Sequence, residues 1–297
     1  MRVIGDQVGL TLDRIVFATD FSVSAASAGE YAQGLAKRFS SSLALAHVID
    51  LSVATRSEAG VIGVPIDEMR LSSEQHQGKL LDEMTSAGVR TSAHILEAHH
   101  PAQAVVRFAE ELRADLIVTG TNARRGLSKA ILGSCAEGII RHASCPVLTI
   151  GPMAQPAARG GFAFHTVVFA TDFSPNAARE AAIALSFAED SVARIYLCHV
   201  LDHPGKDIYE TVDMELKFEE ALKRLVPQSA YDWISPERVV ETGKVAPGIL
   251  ALAEKVDADL IVLGAKHDGL WYTHLAQGTV GQVLTKAKCP ILTVGAA

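Results

Sequence analysis

Short apolar runs alternate with longer amphipathic stretches along the whole chain. Arg14–Thr19, Leu43–Val48, Val89–Leu96, Leu116–Thr119 and Val147–Ile150 predict strands. Runs such as LIV and VLTI are apolar on both faces, as in a sheet covered by helices on each side. Between these runs, Ser24–Phe39, Asp67–Ala87, Ala102–Arg113 and Ser134–His142 predict helices. In Ala102–Arg113, the residues Ala102, Val105, Ala109 and Leu112 share one face, and Pro101 suits a first helical position. A second series of strands follows at Val167–Thr171, Arg194–Val200, Arg238–Glu241, Leu260–Leu263 and Ile291–Val294. Alternating β and α elements imply parallel sheets with right-handed crossovers.

The second series is a copy of the first. VFATDFS occurs at Val16–Ser22 and again at Val168–Ser174, and His47-Val48-Ile49-Asp50 answers to His199-Val200-Leu201-Asp202, both at an offset of 152. Ala114–Val118 recurs as Ala258–Val262 and Cys145-Pro146 as Cys289-Pro290, both at an offset of 144. Four blocks in one order establish a duplication. The change of 8 in offset places a length difference between the second strand and the third helix. Pro152–Ala163, rich in Pro, Gly and Ala, reads as a linker. The expected organisation is a first domain over 1–151, a linker over 152–163 and a second domain over 164–297. Each domain is α/β, an open five-stranded parallel sheet of Rossmann-like form.

Composition adds exclusions. The 297 residues are 48% hydrophobic and 21% charged, enough to bury a core in each half. A net charge of −7 gives no basic stripe for nucleic acid, though a locally basic loop can still meet a phosphate. No run of about 18 uncharged apolar residues predicts a membrane span, and the first residues show no signal-peptide pattern. The four cysteines lack CxxC or zinc-like spacing, which reads as reduced thiols in the cytoplasm.

Candidate chemistry gathers at the carboxyl ends of the strands, where open parallel sheets bind ligands. After the fourth strand runs a long loop from Gly120 to Ser134, ending at a helix start. Gly120 and Gly133, the hydroxyl of Ser134, the charges of Arg124, Arg125 and Lys129, and the helix N-terminus form a phosphate cradle in outline. It is not a Walker loop, since GxxxxGK[ST] is absent. A connection of this length in a compact domain is usually functional.

Gly120, Gly133, Ser134, Cys145 and Pro146, with Asp20 ending the first strand and the HVID block, match the frame G-x2-G-x9-G-[ST] and its continuation. The chain therefore resembles a tandem protein of the universal stress protein family, over nearly its whole length, twice. The resemblance implies an adenine nucleotide, ATP or another, with magnesium left open. It implies that Ala18 and Asp20 border the nucleoside and that Val48 meets the base. Thr119, Gly120, Ala123, Arg124, Gly133, Ser134 and Cys135 would then line the ribose and phosphates. Ala123 stands where the motif has its second glycine, and a Cβ there would strain a left-handed backbone by about 1 kcal/mol. In the second copy Asp172, Val200, Gly264, Gly278 and Thr279 correspond. There His267 replaces the second glycine, Gly278-Thr279 arrives one residue late, and Trp271 and Tyr272 add bulk. The first copy is the expected site and the second an altered one.

Plainer readings stand beside these. Asp20 and Asp172 suit turns, with Ser22 and Ser174 capping the next helices. His47 and His199 read as core histidines, and His94, His99 and His100 as a weak metal candidate. Met214, Leu216, Phe218, Ala221, Leu222 and Leu225 read as core. Besides a stress-response nucleotide-binding regulator, two functions stay open: a slow ATPase or adenylyl-transfer enzyme, and an interaction scaffold without nucleotide. No nucleophile–base pair supports the enzyme beyond weak hydrolysis. By resemblance, Val147–Ile150 and Ile291–Val294 could pair within the chain as a pseudo-dimer, leaving a homodimer of whole chains open.

Overall fold

The computed structural model describes residues 11–54, 65–121, 133–156, 162–265 and 278–295. The first half runs β1 (Arg14–Ala18), α1 (Val23–Phe39), β2 (Ser42–Asp50), a one-turn α2 (Leu51–Ala54) and α3 (Ile66–Ser86). It continues β3 (Arg90–Ala98), α4 (Pro101–Glu111), β4 (Leu116–Gly120), α5 (Ser134–His142) and β5 (Val147–Ile150). The second half runs β6 (Thr166–Ala170), α6 (Ala177–Ser191), β7 (Arg194–Leu201), α7 (Ile208–Arg224) and a 3₁₀ turn at Gln228–Asp232. It then follows β8 (Glu237–Thr242), α8 (Val245–Lys255), β9 (Leu260–Ala265), α9 (Thr279–Lys286) and β10 (Ile291–Gly295). All ten expected strands form, each within two residues of its sequence reading at either end. The short α2 was not expected; Asp50 caps it, accepting the Ser52 backbone N–H at 2.9 Å.

The strands make one ten-stranded sheet in the order β3-β2-β1-β4-β5-β10-β9-β6-β7-β8. Each half is parallel throughout, and β5 meets β10 antiparallel with Leu148 opposite Leu292. Both faces are covered. Ile15, Phe17, Leu43 and Leu45 point into one apolar layer, against α1 and α3; Val16, Ala18, Ala44 and Ala46 point into the other, against α4 and α5. That two-residue alternation of apolar side chains is why the strands read as unbroken hydrophobic runs. The first layer is continuous across the seam, running from Phe17 through Leu148 and Leu292 to Phe169 and Phe187.

Register locates the length difference between the copies. His47 stands opposite Ile95, and its counterpart His199 opposite Val240, so the offset has already fallen from 152 to 145 at the third strand. Most of the missing residues therefore precede β8.

Two expectations need correcting. Ser22 does cap α1, accepting the Ala25 N–H at 3.3 Å, but Ser174 does not cap α6. Pro175 and Asn176 form a turn closed by the Ala177 N–H on the Ser174 carbonyl, so α6 starts at Ala177. Leu216 is not core: it is 58% exposed on the outer side of α7, while Leu222 of the same helix is fully buried.

The described ends of the linker are fastened to α1. The Tyr31 hydroxyl donates to the Gln155 carbonyl at 3.0 Å, and the Phe162 ring lies edge-on to Tyr31. Phe162 also lies against the bare Cα of Gly34, where a Cβ would meet the ring at 2.6 Å.

Candidate functional site

In the order 3-2-1-4-5 the chain changes direction between β1 and β4, and the crevice beyond that pair is the ligand position of open α/β sheets. Ala18 is the residue of β1 in register with Thr119 of β4, so both border this crevice, each almost fully buried. In the second half the same pair is Ala170 and Leu263.

The turn after β1 is built by its own side chains. The Thr19 hydroxyl accepts the Phe21 N–H at 3.0 Å, and Asp20 accepts the Ser22 N–H at 3.0 Å. These bonds hold Phe21 at φ +59°, an uncommon conformation for a non-glycine residue. His47 secures the turn from β2: its Nδ1 lies 2.9 Å from the Thr19 carbonyl. A carbonyl can only accept, so Nδ1 carries the proton. Phe21 packs over that imidazole, ring centres 4.5 Å apart. Burial lowers the His47 pKa, only partly offset by the Thr19 bond and by Asp20. The second copy repeats the device with Thr171, Asp172, Phe173 at φ +56° and His199, whose Nδ1 is 2.8 Å from the Thr171 carbonyl. The expectation that these histidines are structural holds, and their contribution is specific, since each clamps its rim. Asp20 and Asp172 remain exposed beside the crevice.

After β4 the two glycines do different things. A Cβ on Gly120 would meet the Ser24 carbonyl at 2.5 Å and the Ala25 nitrogen at 3.1 Å, so a glycine is needed for α1 to close over β4. At Gly133 the contact is looser: among the described residues a Cβ would find only the Thr121 hydroxyl, at 3.8 Å. Its bare Cα stands at the start of α5. The Thr121 hydroxyl, from a buried residue, accepts the Gly133 N–H at 3.2 Å and so ties together the two ends of the segment between them. Gly133 makes no side-chain cap on α5, which leaves the first N–H groups of the helix to other acceptors. Ser134 and Cys135 open the helix on the exposed side. The Cys135 thiol is pushed up to about 11, first by desolvation within the rim and then by the carboxylates of Asp20 and Asp50, so it stays protonated. Ala123 and Arg124, with Arg125 and Lys129, lie outside the described residues, as do Lys266, His267, Trp271 and Tyr272.

Thr121 was missed in the sequence. Its signal was the comparison of copies: at the offset of 144 it corresponds to Ala265, which has no hydroxyl for such a tie. Val48 lies half-buried one residue beyond His47, opposite Leu96 of β3. Among the described residues, no group of three or more His, Cys, Asp or Glu could hold a metal ion. His94 bonds Ser92 and packs against Phe108.

The second rim holds a cavity of about 140 Å³ bordered by Asp172, Glu180, Val200, Gly264 and Thr279. Gly278 takes the position before α9 that Gly133 takes before α5, at an offset of 145. The extra loop residue is absorbed by the helix: α9 has 8 residues against 9 in α5, and both end before matching alanines, Ala143 and Ala287.

Fold and rims together define a duplicated open α/β protein with a strand switch point in each copy, the place where sheets of this kind bind ligands. The model of the universal stress protein family matches residues 11–151 and 163–295, and the chain belongs to that family. A universal stress protein of Methanocaldococcus jannaschii is 36% identical over 138 residues, spanning 46% of this chain and 81% of that protein. A putative universal stress protein of Staphylococcus aureus USA300 is 32% identical over 149 residues, 50% of this chain and 89% of its own. Among solved structures, a universal stress protein of Archaeoglobus fulgidus superposes with a TM-score of 0.76 at 20% identity, covering 98% of this chain and 99% of that one. One from Pseudomonas aeruginosa UCBPP-PA14 does so at 0.61 and 18% identity, covering 96% and 93%. These two establish the tandem fold.

Proposed function

We propose that the chain is a stress-response regulator that binds ATP or another adenine nucleotide, mainly at the first rim. The observation that carries this is Gly133: among the described residues only the Thr121 hydroxyl comes within 4 Å of where its Cβ would stand, and it precedes the α5 N-terminus at the switch point without a side-chain cap. Backbone N–H groups and the positive end of the α5 dipole suit a phosphate there. Asp20, at the far side of the crevice, suits a ribose hydroxyl, and Val48 an adenine edge. Gly120, Ala123 and Arg124 would complete the phosphate side, and Mg would bridge the phosphates if required. The domains over 1–151 and 164–297, joined by 152–163, act as a pseudo-dimer through β5 and β10 in the cytoplasm. Among the described residues no helix is long and apolar enough to cross a membrane.

Calorimetric titration of the whole chain with ATP, with and without magnesium, tests the reading. Gly133→Ala with Ser134→Ala should weaken binding at least tenfold while the melting temperature stays within a few degrees. Unchanged affinity sinks the site assignment. Phosphate release at saturating ATP separates a regulator from an enzyme.

A further inference from the structure

The two repeats differ beside the glycine that precedes their last helix. Thr121 follows β4 and is 2% exposed. Its backbone N–H donates to the Ile150 carbonyl of β5 at 3.0 Å, so the sheet fixes its main chain. Its hydroxyl accepts the Gly133 N–H at 3.2 Å, and the Gly133 carbonyl accepts the Glu137 N–H at 2.9 Å. Both backbone groups of Gly133 are therefore engaged. Ser134 carries the next N–H, which has no acceptor within the helix. The first turn of α5 borders the same space as the turn after β1: the Cys135 thiol, raised first by desolvation, is raised further by the carboxylates of Asp20 and Asp50. In the second repeat Ala265 stands at the place of Thr121, the last residue of β9 and paired with Gly295 of β10. It has no hydroxyl to offer Gly278. Gly278 also accepts a helix N–H, from Gln282 at 3.1 Å, but its ψ is 174° where Gly133 has 135°. That angle sets the plane of the peptide whose N–H belongs to Ser134 or to Thr279, so the first N–H of the helix points differently in the two copies.

We propose that Thr121 is the positioning residue of the first rim: by holding Gly133 against the end of β4, it aims the Ser134 N–H at the crevice, where a phosphate oxygen accepts it. Thr121 acts through Gly133 and not on the ligand. A bond from an N–H to a phosphate oxygen is charge-assisted and depends steeply on angle. A donor already held in place therefore binds more tightly than one that must be ordered by the ligand. The hydroxyl carries the rigidity of the sheet to the start of α5, which a side chain without an acceptor cannot do. The same tie is missing at Ala265, which makes the second rim the weaker place for a phosphate. This inference rests on the nucleotide reading of the first rim and concerns its phosphate side alone, so adenosine, which has no phosphate, is indifferent to it.

Calorimetric titration of the whole chain with ATP and with adenosine tests it, in the unaltered protein, in Thr121→Val and in Thr121→Ser. Thr121→Val should weaken ATP about fivefold or more, the worth of one misaimed hydrogen bond, and adenosine less than about twofold. Thr121→Ser keeps the hydroxyl and should recover most of the ATP affinity, which guards against a valine variant that merely folds badly. Amide hydrogen exchange at Gly133 reads the tie itself, without ligand: protection should fall in Thr121→Val and persist in Thr121→Ser. ATP affinity unchanged in Thr121→Val overturns the proposal, whatever the exchange shows. Equal losses for ATP and adenosine, or equal losses in the Val and Ser variants, also overturn it, because either means a general disturbance of the rim. An unaltered chain that binds no ATP overturns the nucleotide reading and this inference together, and the first titration shows that by itself.

Discussion

Arg38 and Asp190 are the same position in the two repeats, 152 residues apart, and they bind each other. The Arg38 Nε donates to the Asp190 carboxylate, one Nη donates to the Asp190 carbonyl at 2.7 Å and the other to the Phe162 carbonyl at 3.0 Å. Around an approximate two-fold axis a residue meets its own counterpart, and identical charges there would repel. Here the copies carry opposite charges, so the contact favours pairing of the two halves of one chain.

Exchanging that pair tests the contact. Arg38→Asp should lower stability by about 1–2 kcal/mol, by losing three hydrogen bonds and placing two carboxylates together. The double variant Arg38→Asp with Asp190→Arg should recover part of the loss. Denaturant unfolding of the four chains gives the coupling energy, and a value near zero means the pair contributes nothing.

The two motif glycines should separate under substitution. Gly120→Ala forces a Cβ onto the backbone of α1 and should cost about 2–4 kcal/mol, since neither backbone can move freely. Gly133→Ala meets no described atom closer than the Thr121 hydroxyl, at 3.8 Å, and should leave stability within about 0.5 kcal/mol, because φ is −60°. Melting temperatures of the two variants check this directly.

His47 predicts a pH dependence with a definite sign. Its pKa is lowered in the folded chain, first by burial, so protonation favours unfolding. Its contribution is complete above the unfolded value near 6.5 and is lost as pH falls from there through the lowered folded value. The His47 ring resonance should titrate below 6.5, and Asn at this position should flatten the fall in stability between pH 7.5 and 5. A midpoint above 6.5 contradicts the clamp as described.

At the seam, Thr149 is fully buried in β5 and its hydroxyl has no hydrogen-bond partner. Its counterpart Thr293 donates to the Val147 carbonyl at 3.3 Å. Thr149→Val should therefore stabilise the chain by about 1 kcal/mol, by removing an unpaired polar atom while keeping the shape. Thr293→Val should not. Thermal unfolding of both variants measures the difference.

Much of this molecule could be read along the chain. Strand and helix alternation, the exact repeat of VFATDFS and the G-x2-x-x9-G-S frame are local patterns, set by side-chain hydrophobicity and spacing, and they determined the duplicated α/β fold and the rim where chemistry would lie. What they could not supply was proximity. That Gly120 must be a glycine depends on which backbone lies above it, that of Ser24, 96 residues back. His47 reads as an apolar-strand histidine until β1 beside it presents the Thr19 carbonyl. Nothing along the chain pairs Arg38 with Asp190, because a charge shows its partner only when the antiparallel join of β5 and β10 brings the two copies together. Glu180, an ordinary acid in a helix along the chain, proves to be buried with its carboxylate over Gly264, where the first copy has the backbone of Ser24 over Gly120.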